Sequence, residues 1–296
     1  MLLCGTTIEI IEFMKRIKLI VFFCLLSFAA TAQTVMQADS SGPFVLGETL
    51  QIRSAELGEK RILNIYLPEG YKKDDTTRYP VIYLLDGSAD EDFIHIVGLV
   101  QFNSFSWINR VPKSIVVGIA NVNRLRDFTY PTTLDDDKRK YPAAGHSDRF
   151  IAYLEKEVQP FIEHRYKTIG TRTLIGESLG GLLATEILLE KPSLFNKYII
   201  ISPSLWWDNG SLLHRPTSRL NEAVKSRTSV YIGVGKEGLT PGKTPHVMEV
   251  DANLLAEKLE SLNNKNLTVH FDYLPQEDHA TIAHQAVYNA FKVLYP

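Results

Sequence analysis

Cysteine is almost missing from this chain of 296 residues: only Cys4 and Cys24 carry a thiol. Two cysteines close to one end cannot staple a domain, so a disulfide scaffold is excluded. A surplus of one charge is missing too. Thirty-two Lys and Arg stand against 34 Asp and Glu, a formal net charge of −2, and no basic excess marks the chain for nucleic acid. No internal repeat, low-complexity tract or Pro/Gly/Ser linker divides it. The segment Gly233-Val234-Gly235-Lys236 lacks phosphate-loop spacing, and no Gly-x-Gly-x-x-Gly opens a helix. His279 and His284 lie five apart without a His-Glu-x-x-His frame, so no zinc site and no cofactor are expected. What remains is 45% hydrophobic and 22% charged, the make-up of an ordinary folded globular protein.

The N-terminus reads as an address. Met14-Lys15-Arg16-Ile17-Lys18 is a basic head, an apolar run follows from Leu19 to Phe28, and Ala30-Thr31-Ala32 ends it. That layout is a secretory signal peptide, with cleavage expected after Ala32 and residues 1–13 an upstream extension. The apolar run is shorter than the roughly 20 residues a membrane span needs. Both cysteines fall in the removed part, and Cys24 lacks the small residues of a lipobox before it. The expectation is a secreted, periplasmic protein with a single domain over residues 33–296 and no stable membrane insertion after cleavage.

Along that domain, short β-rich segments recur at residues 50–53, 62–67, 81–85, 115–119, 173–175, 198–201, 230–234 and 269–274. Most from the third to the seventh are nearly continuous Val, Ile, Leu and Tyr, which predicts strands covered on both faces of a parallel sheet. Helical patterns lie between. Ser147 reads as the N-cap of a helix with Phe150, Ile151, Leu154, Val158, Phe161 and Ile162 on one face, kinked by Pro160. Residues 179–190, 249–262 and 281–294 supply three more helices. Residues 87–110 and 121–145 read as long irregular, functional stretches. The prediction is a three-layer α/β sandwich with about eight mostly parallel strands.

One motif fixes the chemistry. Strand 173–175 runs into Gly176-Glu177-Ser178-Leu179-Gly180-Gly181 and then a helix, the strand–turn–helix setting of a nucleophile elbow. A serine on so tight a turn projects its Oγ, and the following helix aims free N–H groups at the same point. Serine needs a base and the base needs an orienting acid, in the chain order Ser, Asp/Glu, His. His279, between the last strand and the last helix, is the predicted base. His95, His146, His164, His214, His246, His270 and His284 have blander readings as surface, capping, strand or helix residues. Glu237, after the strand at 230–234, is the predicted acid, with Asp272, Glu277, Asp278 or a bare Ser–His dyad as alternatives. Glu177 tunes the nucleophile's surroundings. Backbone N–H groups of Leu179 and of Gly87 or Ser88 are the expected oxyanion donors.

With these residues in place the chain resembles the esterase D-like family of α/β-hydrolases, from about residue 45 to the C-terminus. The anchors are 79-YPVIYLLDG-87, 126-RDFTYP-131, the elbow and Glu277-Asp278-His279. Ser202-Pro203-Ser204-Leu205-Trp206-Trp207 is similar to the ferri-bacillibactin and enterobactin esterase branch. The resemblance implies ester hydrolysis of catecholate trilactone siderophores without a catalytic metal, Ser178 as nucleophile, His279 as base and Glu237 in the acid position. In that branch the glutamate usually stands three residues after the glycine, whereas Glu237 stands two after Gly235. Trp206 and Trp207 are expected to stack on substrate rings, and Arg124 and Arg126 to meet its anionic groups; core tryptophans and a structural Arg126–Asp127 pair are the alternatives. A feruloyl or acetyl-xylan type carbohydrate esterase is the rival enzyme, and a catalytically inactive hydrolase-fold binding protein is the rival from another class.

Overall fold

A computed structural model of the chain describes residues 5–27, 36–240 and 244–295. It divides into two units, one up to Val45 and one from Leu46 onward. In the first, helix α1 (Gly5–Ser27) runs straight through Met14, and its apolar side chains Ile8, Phe13, Leu19 and Phe22 are exposed. Among the described residues no helix is long and apolar enough to cross a membrane. The expected cleavage site at residues 30–32 lies outside the described residues.

The second unit is built on one eight-stranded sheet in the order β1-β2-β4-β3-β5-β6-β7-β8. The strands are β1 (Glu48–Arg53), β2 (Lys60–Tyr66), β3 (Tyr79–Leu84), β4 (Ile115–Ile119), β5 (Thr168–Glu177), β6 (Lys197–Ile201), β7 (Thr228–Gly235) and β8 (Leu267–Leu274). β1 and β2 are antiparallel to their neighbours, and every pairing from β4 to β8 is parallel. All eight predicted strands are present, because their alternate residues feed two cores. Val81 and Tyr83 point into one, Ile82 and Leu84 into the other.

The helices covering the two faces are α2 (Phe93–Asn103), α3 (Arg124–Phe128), α4 (Asp135–Lys140), α5 (Ser147–Tyr153), α6 (Gln159–Arg165), α7 (Leu179–Glu190), α8 (Ser211–His214), α9 (Ser218–Ala223), α10 (Met248–Glu260) and α11 (Ile282–Leu294). α2 and α11 close one face; α5, α6, α7 and α10 close the other. Four expectations need correction. Residues 87–110 are not irregular: Phe93, Ile96, Val97 and Val100 share the buried face of α2, a helical spacing. Residues 121–145 likewise hold the short helices α3 and α4. Ser147 is the first residue of α5 and not its cap; His146 stands at that position without a side-chain capping bond. Pro160 does not simply bend the helix. A π-helical segment, Leu154–Val158, absorbs its missing N–H and passes the chain on into α6.

The topology determines where chemistry can happen. Consecutive neighbours β5, β6, β7 and β8 are parallel, so the residues leaving their C-terminal ends gather at one edge. Those residues are Ser178, Ser202, Glu237 and His279. Crevices at the carboxyl ends of parallel strands are where α/β proteins bind ligands.

Candidate active site

Ser178 sits at φ 57°, ψ −116° between β5 and α7, a left-handed conformation that a serine holds only under strain of about 1–3 kcal/mol. Its amide donates to Ile201 O at 3.0 Å and its carbonyl accepts from Ser204 N at 3.0 Å, so β6 over-determines the turn. The glycines explain why the turn can be so sharp. A Cβ on Gly176 would lie 2.4 Å from the Gly180 carbonyl, and one on Gly181 would lie 2.9 Å from Ile201 O. At Gly180 the nearest atom would be 3.3 Å away; the tight second glycine is therefore Gly181.

From this turn a continuous hydrogen-bond relay runs outward. The Ser178 hydroxyl donates to His279 Nε2 at 3.1 Å, and His279 Nδ1–H donates to Glu237 Oε2 at 2.5 Å. Glu237 is held on its other oxygen by the Ser202 hydroxyl and by Gly235 N–H at 3.3 Å. Its carboxylate side chain is only 4% exposed, while His279 is 49% exposed. Because Glu237 accepts from Nδ1, the imidazole keeps its lone pair on Nε2, facing the serine proton. Ser204 Oγ lies 3.3 Å from Ser178 Oγ, placed to donate to it once the Ser178 proton points at the imidazole.

Two of the remaining acid candidates have other partners for their carboxylates. Asp272 accepts from Tyr231 OH at 2.7 Å and Asn289 Nδ2 at 2.9 Å. Asp278 accepts from the amides of Ala280 and Thr281 ahead of α11. Glu277 contributes its backbone carbonyl to Lys236 N–H.

Of the expected oxyanion donors, Leu179 opens α7, where an amide has no intrahelical partner. Gly87 does not fit: its N–H donates to Ile119 O at 3.1 Å, continuing the sheet. That leaves Ser88, whose amide makes only a long 3.3 Å contact with Glu91 Oε2.

Charges around the relay bias its protons. The hydrogen bond to Glu237 raises the His279 pKa above its usual 6.5 against the opposing effect of burial, and the Glu177 carboxylate adds to the rise. Burial pulls the Glu237 carboxyl up, but bonds from His279 and Ser202 outweigh it and leave its pKa below the usual value. Glu177 is pushed up to about 7 by burial and by the Asp92 and Asp86 carboxylates. A histidine acts as base only when neutral, so the acid limb of kcat/KM is expected above pH 6.5. Glu177→Gln removes a negative charge that favours the imidazolium. That limb should move to lower pH in a pH–rate profile; an unmoved limb would show that Glu177 does not act on His279.

The predicted substrate side chains separate. Trp207 is 1% exposed and donates Nε1–H to Tyr130 O at 2.9 Å; it is a core residue, its ring packed 5.9 Å from that of Tyr141. Arg126 is structural, bonded to Glu59 and Asp127 in a network that also holds the buried Arg61. Trp206 and Arg124 stay near the surface. Arg124 grips Asp86 through Nε (2.6 Å) and Nη2 (3.0 Å), and Nη2 reaches the Glu177 carbonyl at 3.1 Å. Asn121 also donates to Asp86 at 2.6 Å. Trp206 lines a cleft of about 860 Å³ with Leu134, Lys140, Asn209 and His246, two residues beyond Ser204. Trp207→Ala should cost about 3–5 kcal/mol in denaturant unfolding, and Trp206→Ala less than about 1 kcal/mol; equal losses would contradict this division. Ser202, Ser204, Asp86 and Asn121 were not singled out as site residues by sequence. The Ser202-Pro203-Ser204 run was the available signal.

The chain matches the family described as Putative esterase over residues 54–282. It is 27% identical to ferri-bacillibactin esterase BesA of Bacillus subtilis over 271 residues, covering 87% of this chain and 93% of the relative. An IroE-like serine hydrolase from Shewanella oneidensis superposes with a TM-score of 0.72 at 34% identity, covering 84% of this chain and 80% of that one. The BES protein from Bacillus cereus gives a TM-score of 0.75 at 28% identity, covering 88% and 100%.

Proposed function

The chain belongs to the Putative esterase family and is an esterase, and from that premise we propose that it hydrolyses siderophore esters through a Ser178–His279–Glu237 triad. The observation that carries the triad is the unbroken hydrogen-bond path from Ser178 Oγ through both imidazole nitrogens to Glu237. Ser178 Oγ attacks the ester carbonyl carbon as its proton passes to His279 Nε2. Negative charge then collects on the carbonyl oxygen, where the amides of Leu179 and Ser88 receive it. Collapse expels the alcohol, which takes the proton from His279 and leaves a Ser178 acyl-enzyme. Water, deprotonated by the same nitrogen, releases the acid and restores the serine.

The siderophore reading is supported by the names of the relatives, ferri-bacillibactin esterase among them. Trp206 offers a ring face for an aromatic acyl group. In the cleft beside it Arg139 is paired with Asp136, and Asp135 and Asp137 also line the wall, so Lys140 is the cation left to meet an anionic catecholate. Arg124, one-third exposed beyond its Asp86 pair, is a cation whose charge acts on His279. Ferric enterobactin, feruloyl-xylan and acetyl-xylan offered side by side test the assignment. The siderophore should be cleaved with the highest kcat/KM; preference for either xylan would overturn it. Export follows from the basic head, apolar run and Ala30-Thr31-Ala32 end, and is tested by sequencing the N-terminus of secreted protein. Gln33 is the expected first residue.

A further inference from the structure

At the opposite edge of the sheet lies a second concentration of polar chemistry that the ester reaction does not use. Lys197 opens β6 and Arg227 immediately precedes β7, so both stand at the N-terminal ends of the parallel strands. The length of β6 separates them from Ser178 by about 15 Å. With Arg110, Asn109, Pro112 and Tyr295 they line a cavity of about 430 Å³, and no carboxylate is among its described lining residues. Among the described residues none of these three cations has a carboxylate partner. The Arg110 guanidinium bonds Asn103 Oδ1 and lies 5.3 Å from the centre of the Tyr288 ring. Lys292, 4.4 Å over the same ring, extends the cluster. Burial and the nearby Arg227 charge lower the Lys197 pKa.

Helix C-termini attract cations, and Lys197 does donate to Leu294 O at the end of α11. That accounts for Lys197 alone. It leaves Arg227 unexplained, and equally the loop beside Arg110. There Trp107 is 75% exposed and stacks on Phe105 at 4.6 Å, with Phe102, 44% exposed, at 6.2 Å from Phe105. The loop is pinned at its base by Arg110 N–H and Val111 N–H donating to Asn103 O, so the rings are presented by a fixed turn. Large aromatic rings held in water beside unpaired cations match the boundary of an anionic bilayer, where Trp sits at headgroup depth and Lys and Arg meet phosphate.

We propose that this edge docks the protein on an anionic phospholipid surface, with a headgroup phosphate in the Arg110–Lys197–Arg227 pocket and Trp107 at the interface. The ester site at the opposite edge then faces away from the bilayer. The test uses the full chain with phosphatidylcholine vesicles lacking or containing phosphatidylglycerol. Flotation measures binding, and Trp emission reports the ring, since Trp207 is buried and Trp206 half-buried. Phosphatidylglycerol vesicles should bind the protein and shift its emission to the blue; Trp107→Phe should abolish the shift. Removing two cations in Arg110→Gln/Arg227→Gln should weaken binding by about 25-fold, roughly fivefold each, with ester hydrolysis unchanged. The N-terminal segment, itself basic and apolar, adds binding to every sample, so the comparison of wild type with each variant on the same vesicles carries the test. Equal binding to neutral vesicles, wild-type affinity in the double variant, or no Trp107 shift would overturn the proposal. So would an emission change produced by inorganic phosphate without vesicles, which would make the pocket a site for soluble anions.

Discussion

Ser178→Ala is expected to lower kcat for p-nitrophenyl acetate by on the order of 10⁶-fold while leaving the unfolding midpoint close to wild type. The loss is large because the triad works as a unit. Without Oγ no acyl-enzyme can form, and His279 with the Leu179 and Ser88 amides can assist only the slow direct attack of water on the ester. The fold should survive because the Ser178 backbone is held by Ile201 O and Ser204 N, and neither bond involves Oγ. Alanine at φ 57° inherits the same strain, so its cost cancels between the two proteins. A fluorophosphonate probe should label wild type on Ser178 and leave the variant unlabelled. Retained turnover, or labelling of another serine in wild type, would refute Ser178 as the nucleophile, whereas a wild type with neither turnover nor labelling would be an inactive binding protein.

The elbow, the place of His279 after the last strand and the strands themselves were legible because each follows from a local pattern or from chain order. A strand covered on both faces reads as unbroken Val, Ile and Leu, and β3, β4 and β6 are such runs. Gly176-Glu177-Ser178-Leu179-Gly180 compresses a whole turn into five letters. What escaped depends on contacts far apart in sequence. Trp206 and Trp207 are adjacent, yet only Trp207 finds Tyr130 O, 77 residues away. Arg126 was available to a ligand until Glu59, 67 residues away, closed on it. Gly87 loses its amide to Ile119, which depends on how β3 and β4 pair. α2 was a different failure: its buried face has helical spacing, but Gly98 and the acidic segment before Phe93 gave the stretch the composition of a loop.

Glu237→Gln should lower kcat by on the order of 10⁴-fold, and the hydrogen bonds say why an isosteric change is so costly. Oε1 of Glu237 accepts from the Ser202 hydroxyl and from Gly235 N–H. A glutamine must keep its carbonyl oxygen on that side, because turning its NH₂ there would oppose the Gly235 donor. The amide NH₂ then faces His279 Nδ1 and donates to it. The imidazole proton is displaced to Nε2, and the nitrogen that must take the Ser178 proton has no lone pair left. Loss of the carboxylate also removes the principal cause of the raised His279 pKa, so whatever activity survives should titrate at lower pH than wild type. The two effects have separate readouts, kcat at the plateau and the position of the acid limb. In Ser178→Ala/Glu237→Gln the activity should fall no further than in Ser178→Ala alone, since the residues work as one unit. A Glu237→Gln enzyme within a few-fold of wild type would mean that Ser178 and His279 operate as a dyad, with Glu237 serving only to hold the loop after β7.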